Sequence, residues 1–136
     1  MLAQLAYTHS CIYQPRENGI HHFVFTVPSH QAVDTWFEYL DMLYDITPID
    51  SRVLFLIDLR QSGVLPMTYV LQRGKRWLKI NPSRHDKRFA ILYNADFPLN
   101  LAQTFFRLTG ISEGQMIRFY SAERCEEATR WLLQGD

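Results

Sequence analysis

Cysteine is scarce: Cys11 and Cys125 are the only two in 136 residues. One pair at most, in a chain of single-domain size, is no disulfide framework, so reduced thiols and a cytoplasmic setting are expected. Phosphate-cradling loops are missing too. Neither GxGxxG nor a P-loop phrase occurs among the six glycines, which leaves nucleotide binding without local support. There is no excess charge of either sign. Fourteen Lys and Arg balance fourteen Asp and Glu, so no whole-protein field recruits nucleic acid or an anionic membrane. Long apolar runs are absent as well: the longest, Val53 to Ile57, is far too short to span a bilayer. The opening Met1 to Tyr7 has neither a basic n-region nor an apolar stretch of signal length. A single domain over residues 1–136, without membrane insertion, is the expectation.

What is present is a hydrophobic share of 47%, ample for one core and far from the composition of disorder. Its arrangement predicts β-β-α-β-α-β-α-β-α. His9 to Gln14 and Ile20 to Val27 read as two strands of an antiparallel hairpin around Pro15, Asn18 and Gly19. Ser29 can cap a helix from about Gln31 to Tyr44, with Val33, Trp36, Phe37, Leu40, Leu43 and Tyr44 on its inner face. Asp34, Glu38, Asp41 and Asp45 form an acidic stripe on another face. Arg52 to Asp58 is apolar on both faces, as the middle of a covered parallel sheet requires. A second helix runs from Pro66 to about Ile80, with Met67, Val70, Leu71, Gly74 and Leu78 inward. Phe89 to Tyr93 reads as a strand. A helix with Leu101, Ala102, Phe105 and Leu108 inward and Gly110 as C-cap follows. Met116 to Tyr120 is the last strand, and Ser121 is the expected cap of a terminal helix carrying Cys125, Ala128, Trp131 and Leu132. Strands alternating with helices predict an α/β fold with a mostly parallel five-stranded sheet and one antiparallel N-terminal strand.

This order, the sheet-end Asp58, and the closing pattern Ile117-Arg118-Phe119-Tyr120, Glu127-Ala128 and Trp131-Leu132 resemble the SpoIIAA-like fold of STAS domains. That group includes bacterial anti-sigma-factor antagonists. More narrowly, Leu56-Ile57-Asp58-Leu59-Arg60 and Arg88-Phe89-Ala90-Ile91-Leu92, each followed by a helix, look like the uncharacterised bacterial STAS/SEC14-like branch. The resemblance runs from about His9 to Leu133 and implies a regulatory module that docks on proteins. The family's device is a phosphorylatable serine within an Asp-Ser-Ser-Gly-like phrase at the start of the helix after the third strand. That phrase falls on Pro66-Met67-Thr68-Tyr69, which makes Thr68 the candidate phosphoacceptor. This chain lacks the aspartate and the glycine beside it. The plain alternative is a threonine in a first helical turn.

Catalytic chemistry finds little support. His21 and His22 are adjacent on a strand and point to opposite faces, so they cannot chelate one metal together. Polar residues on the less covered face of a hairpin are the expected reading of them. No Gly-x-Ser-x-Gly occurs around Ser62-Gly63, and free cysteines are usually small buried residues. No catalytic residue, metal ligand or cofactor is therefore assigned. Charge is more informative: Arg73, Lys75, Arg76, Lys79, Arg84, Lys87 and Arg88, interleaved with Trp77 and His85, can meet an acidic partner. The plain alternative is the solvated side of a helix and loop, its charges paired with the acidic stripe within the monomer or between subunits of a homo-oligomer.

Three readings follow. The first is a non-enzymatic docking module working through Asp58, Arg60, Ser62, Arg73 and Arg76, with Thr68 as the switch. The second, from the SEC14-like part of the resemblance, is a binder of a small hydrophobic ligand or lipid. Its apolar pocket would be built from Trp36, Met42, Phe97 and Phe105. An enzyme comes third.

Overall fold

In the computed structural model residues 10–81, 86–100, 103–104 and 116–135 are described. Within them lie β1 (Cys11–Pro15), β2 (Ile20–Phe25), α1 (His30–Ile46), β3 (Arg52–Asp58), α2 (Met67–Ile80), β4 (Asp86–Tyr93), β5 (Ile117–Ser121), a 3-10 turn (Ala122–Arg124) and α3 (Cys125–Leu133). His9, Arg84, His85 and the face Leu101, Ala102, Phe105 and Leu108, with Gly110, lie outside the described residues.

The strands form one sheet in the order β1-β2-β3-β4-β5. β1 pairs antiparallel with β2, from Cys11 opposite Phe25 to Pro15 opposite His21. The other three pairings are parallel. Pro15 is tolerated because β1 is an edge strand, where a missing N–H breaks no ladder. Gly19 turns the hairpin at a φ of +89°, a left-handed conformation that a side chain would strain. The Asn18 side chain accepts from the Ile20 N–H to close the turn.

β3, central and apolar on both faces, divides two cores. Val53, Phe55 and Ile57 join Phe23, Phe25 and the inner side of α1. Leu56 joins Ile20, Ala90, Leu92, Ala128, Trp131 and Leu132 on the α3 side. This is the period-two alternation of a strand, read out on two faces. The helices α1 and α2 thus cover one face and α3 the other. Leu56 has no exposure, so truncation to alanine there would cost about 2–5 kcal/mol.

Helix ends show where local chemistry decided. Ser29 Oγ accepts from the Ala32 N–H at 3.1 Å, as the cap position requires. Ser121 does not fulfil its expected role. It precedes the 3-10 turn and makes no side-chain cap bond, and α3 begins only at Cys125. At the other end of α3, Arg88 donates to the Trp131 and Gln134 carbonyls, both at 2.8 Å. An arginine expected in a basic docking stretch therefore satisfies helix-end carbonyls instead. No helix among the described residues is long and apolar enough to cross a membrane.

Candidate functional site

Two features concentrate chemistry, and they lie on opposite faces of the sheet. Asp58 and Leu59 mark the divergence. Consecutive residues at a strand end project to opposite sides, so Asp58 enters a polar cluster on the α3 side while Leu59 lines a cavity under α1 and α2.

The polar cluster is built from β2, β3 and the loop after β3. Arg60 grips Asp58 through two parallel bonds, Nε to Oδ1 at 2.9 Å and Nη2 to Oδ2 at 2.7 Å. The Arg60 backbone N–H adds a third, to Oδ1 at 3.1 Å. His22 Nε2 lies 3.4 Å from Oδ2, and Arg16 Nη2 lies 3.1 Å from His22 Nδ1. A guanidinium only donates, so Nδ1 accepts from Arg16 and Nε2 carries the hydrogen facing Asp58. Burial pushes the Asp58 pKa up. The bonds from His22 and from the Arg60 side chain and backbone, with the Arg60 charge, outweigh that and hold the carboxyl well below the usual carboxylate range. A carboxylate so clamped is a poor general base. It anchors the loop leaving the sheet, whose Arg60 carbonyl also accepts from the Asn94 side chain.

The placement of His22 corrects the surface role expected for it. It is 6% exposed and sits in the α3-side core, because its neighbour in register is Leu56 and its face of β2 is covered. His21 points the other way, its Nδ1 2.6 Å from the Tyr13 hydroxyl, and burial lowers its pKa. The two therefore share no ligand, as their adjacency requires.

The cavity, about 520 Å³, lies between the sheet and the inner sides of α1 and α2. That volume falls in the range of small-molecule sites. Three aromatic rows wall it. Phe55 and Phe89 stack at 4.8 Å between ring centroids, Trp36 meets both edge-on, and Phe37, Phe97 and Phe119 extend the lining. At Gly74 alone the α2 part of this wall carries no side chain, and an added Cβ would meet nothing within 4 Å. Two cations, Lys75 and Lys87, are the charged residues of the described lining.

Of the residues expected to form an apolar pocket, Trp36 and Phe97 line this cavity. Met42 does not. It packs against the core on the side of α1 shared with Tyr39, whose ring meets Tyr13 of β1 at a tilt of 51°. Phe105 lies outside the described residues. Ser62 Oγ donates to the Gly63 carbonyl, and Thr68 is exposed in the first turn of α2. Arg73 pairs with Asp34 at 3.1 Å, joining α2 to the acidic stripe of α1 within one chain, and Arg76 is exposed. Trp77, expected among the outward basic residues, is buried instead. Its Nε1 donates to Asp41 at 2.6 Å, because α2 turns this indole toward α1.

The sequence put His22 on a hairpin face, gave Arg16 no role and placed Lys87 only in the basic stretch. His22 meets Asp58 only through strand pairing distant in sequence, and Arg16 joins through His22, six residues along the hairpin. Lys87 did carry a signal: Lys87, Phe89 and Ile91 alternate along β4, which puts the lysine on the cavity face. Among the described residues no histidine hydrogen-bonds Ser62, Thr68, Cys11 or Cys125, and no three acidic, histidine or cysteine side chains are grouped to hold a metal ion. No family model, curated protein or solved structure matches the chain.

Proposed function

We propose that this chain is a non-enzymatic binding domain of the STAS/SEC14-like kind that holds a small hydrophobic ligand beneath α1 and α2. The observation that carries the reading is the cavity of about 520 Å³ with its nearly continuous aromatic and aliphatic lining. Well-packed cores hold few voids larger than a water molecule, whereas concave apolar space of this size is what ligand sites use. Of the residues first assigned to docking, Asp58 pairs with Arg60 and Arg73 with Asp34 inside the molecule. Their charge is thus less available to a partner. A cytoplasmic location belongs to the same proposal, and the two free cysteines are compatible with it.

Titration with Nile red, an uncharged apolar dye, tests the reading. Saturable binding is expected in the wild type, and Gly74→Phe should abolish it by filling the cavity while the circular dichroism spectrum persists. Binding that never saturates, or that survives Gly74→Phe unchanged, would remove the ligand reading.

One observation favours a second reading, a phosphorylation-controlled protein-docking module. Thr68 is exposed in the first turn of a 14-residue helix, with exposed Arg76 on the same helix. Phosphate there would be stabilised by free N–H groups and the helix dipole. Site mapping after incubation with a kinase-containing extract decides it: modification at other positions alone ends this reading.

A further inference from the structure

We infer that the ligand is an amphipathic carboxylate of the fatty-acid class, its tail along the sheet and its head at Lys87. This rests on the reading of the cavity as a ligand site and names what enters it.

The lining runs the length of the strands. Leu59, Leu65 and Phe97 stand at the carboxyl ends, and Val53, Lys87 and Ile117 at the amino ends. From Val53 to Leu59 that is about 20 Å of strand, an elongated space suited to an extended chain. Among the described lining residues charge is confined to one end. Lys87 lies at the start of β4, with its ammonium 5.5 Å from the centroid of the Trp77 ring. Lys75 is exposed on α2 and also lines the cavity. Two lining residues beside them are largely open to solvent, Leu78 at 53% and Met116 at 40%. The mouth of the cavity is therefore at this end, and it is cationic.

Among the described residues Lys87 is a half-buried cation without a counter-ion. No carboxylate among the described residues forms an ion pair with it. Asp86, its neighbour, projects to the other side of β4, and Asp41 is engaged by the Trp77 indole. Burial lowers the Lys87 pKa, the mark of a charge held in a poor solvent without compensation. An incoming carboxylate would supply that compensation where the mouth opens, while its alkyl tail runs along the largely apolar described lining. A neutral sterol or alcohol would leave the lysine as it is. A large zwitterionic headgroup would need hydrogen-bond acceptors that this lining does not offer.

Displacement of Nile red by dodecanoate and by dodecanol at neutral pH, both below micelle-forming concentrations, tests the assignment on the full chain. Dodecanoate should compete at about tenfold lower concentration than the alcohol, the factor expected of a moderate ion pair. Lys87→Met should erase this preference while dodecanol still competes, which also reports that the variant folds. Lys87→Arg should restore most of it. Equal competition by acid and alcohol in the wild type would overturn the carboxylate assignment and leave the cavity reading intact. So would a preference that survives Lys87→Met. Failure of both compounds to compete would remove the cavity reading and this inference with it.

Discussion

Asp58 and Arg60 close on each other across a single intervening residue, through two side-chain bonds at 2.9 and 2.7 Å and a backbone bond at 3.1 Å. The carboxylate is buried, whereas the arginine side chain is 36% exposed. The pair therefore pins a surface loop to a buried strand end. Because its folded pKa is depressed, Asp58 contributes stability that is present above about pH 4 and lost as pH falls through the folded value. Asp58→Asn should destabilise by about 2 kcal/mol at neutral pH, the scale of hydrogen bonds to a charged group. In urea denaturation the gap between wild type and Asp58→Asn should narrow steadily below about pH 4. A gap that is constant with pH would mean that the carboxylate charge contributes nothing.

Within the same cluster, geometry ranks the partners. Arg60 offers a two-pronged, charge-assisted grip, whereas the His22 contact is single and long at 3.4 Å. Double-mutant cycles should give about 1.5 kcal/mol or more for Asp58 with Arg60 and below about 1 kcal/mol for Asp58 with His22. The reverse order would show that the buried imidazole, not the exposed guanidinium, holds the carboxylate.

Gly74 sits in mid-helix, where glycine costs backbone entropy, and nothing stands within 4 Å of the Cβ it lacks. Gly74→Ala should therefore stabilise by about 0.5–1 kcal/mol. For a chain of this size that is a rise of about 2–4 °C in the midpoint of thermal unfolding. A destabilised alanine variant would mean that the α2 wall is closer to the sheet than the cavity implies. The residue is thus a marker of the cavity as well as of helix propensity.

The helices and strands around the site were legible because they are periodic. Val53 to Ile57, apolar at every position, announced a strand covered on both sides, and it is the central one, with α1 and α2 on one face and α3 on the other. The α1 stripe of Val33, Phe37, Leu40 and Leu43 packs inward as its spacing required. What periodicity could not convey was partnership between strands. His22 reads as a surface residue until β2 is set beside β3, which places it within reach of Asp58, 36 residues away. Trp77 misled for a related reason. Flanked by Arg76 and, two positions earlier, Lys75, it looked outward, yet a buried indole beside basic residues is stable where its N–H finds a carboxylate on another helix.

That indole gives the next prediction. Trp77 Nε1 donates to Asp41 at 2.6 Å, and Tyr44 meets the same ring edge-on at 5.4 Å, so this point ties α1 to α2. Trp77→Phe keeps most of the apolar area and removes the bond, for an expected loss of about 1–2 kcal/mol. The Arg73–Asp34 pair joins the same helices but is far more exposed, and Arg73→Ala should cost under about 1 kcal/mol. Chemical denaturation of the two variants compares them directly. Equal losses would show that surface charge holds α2 in place as firmly as the buried bond.

The two cysteines should differ in reactivity for reasons set by their elements. Cys11 has no exposure in β1, and burial pushes its thiol pKa up to about 12. Both the thiolate fraction and access are therefore minimal, and the thiolate is the reactive species. Cys125 opens α3 and is partly exposed. Iodoacetamide at neutral pH should thus modify Cys125 alone in the native protein, as read by peptide mass mapping. Cys11 should react only once urea passes the unfolding midpoint, so its labelling tracks the opening of the β1–β2 hairpin. Labelling of Cys11 at native conditions, at a rate near that of Cys125, would mean that this edge strand detaches from the sheet well below the global unfolding free energy.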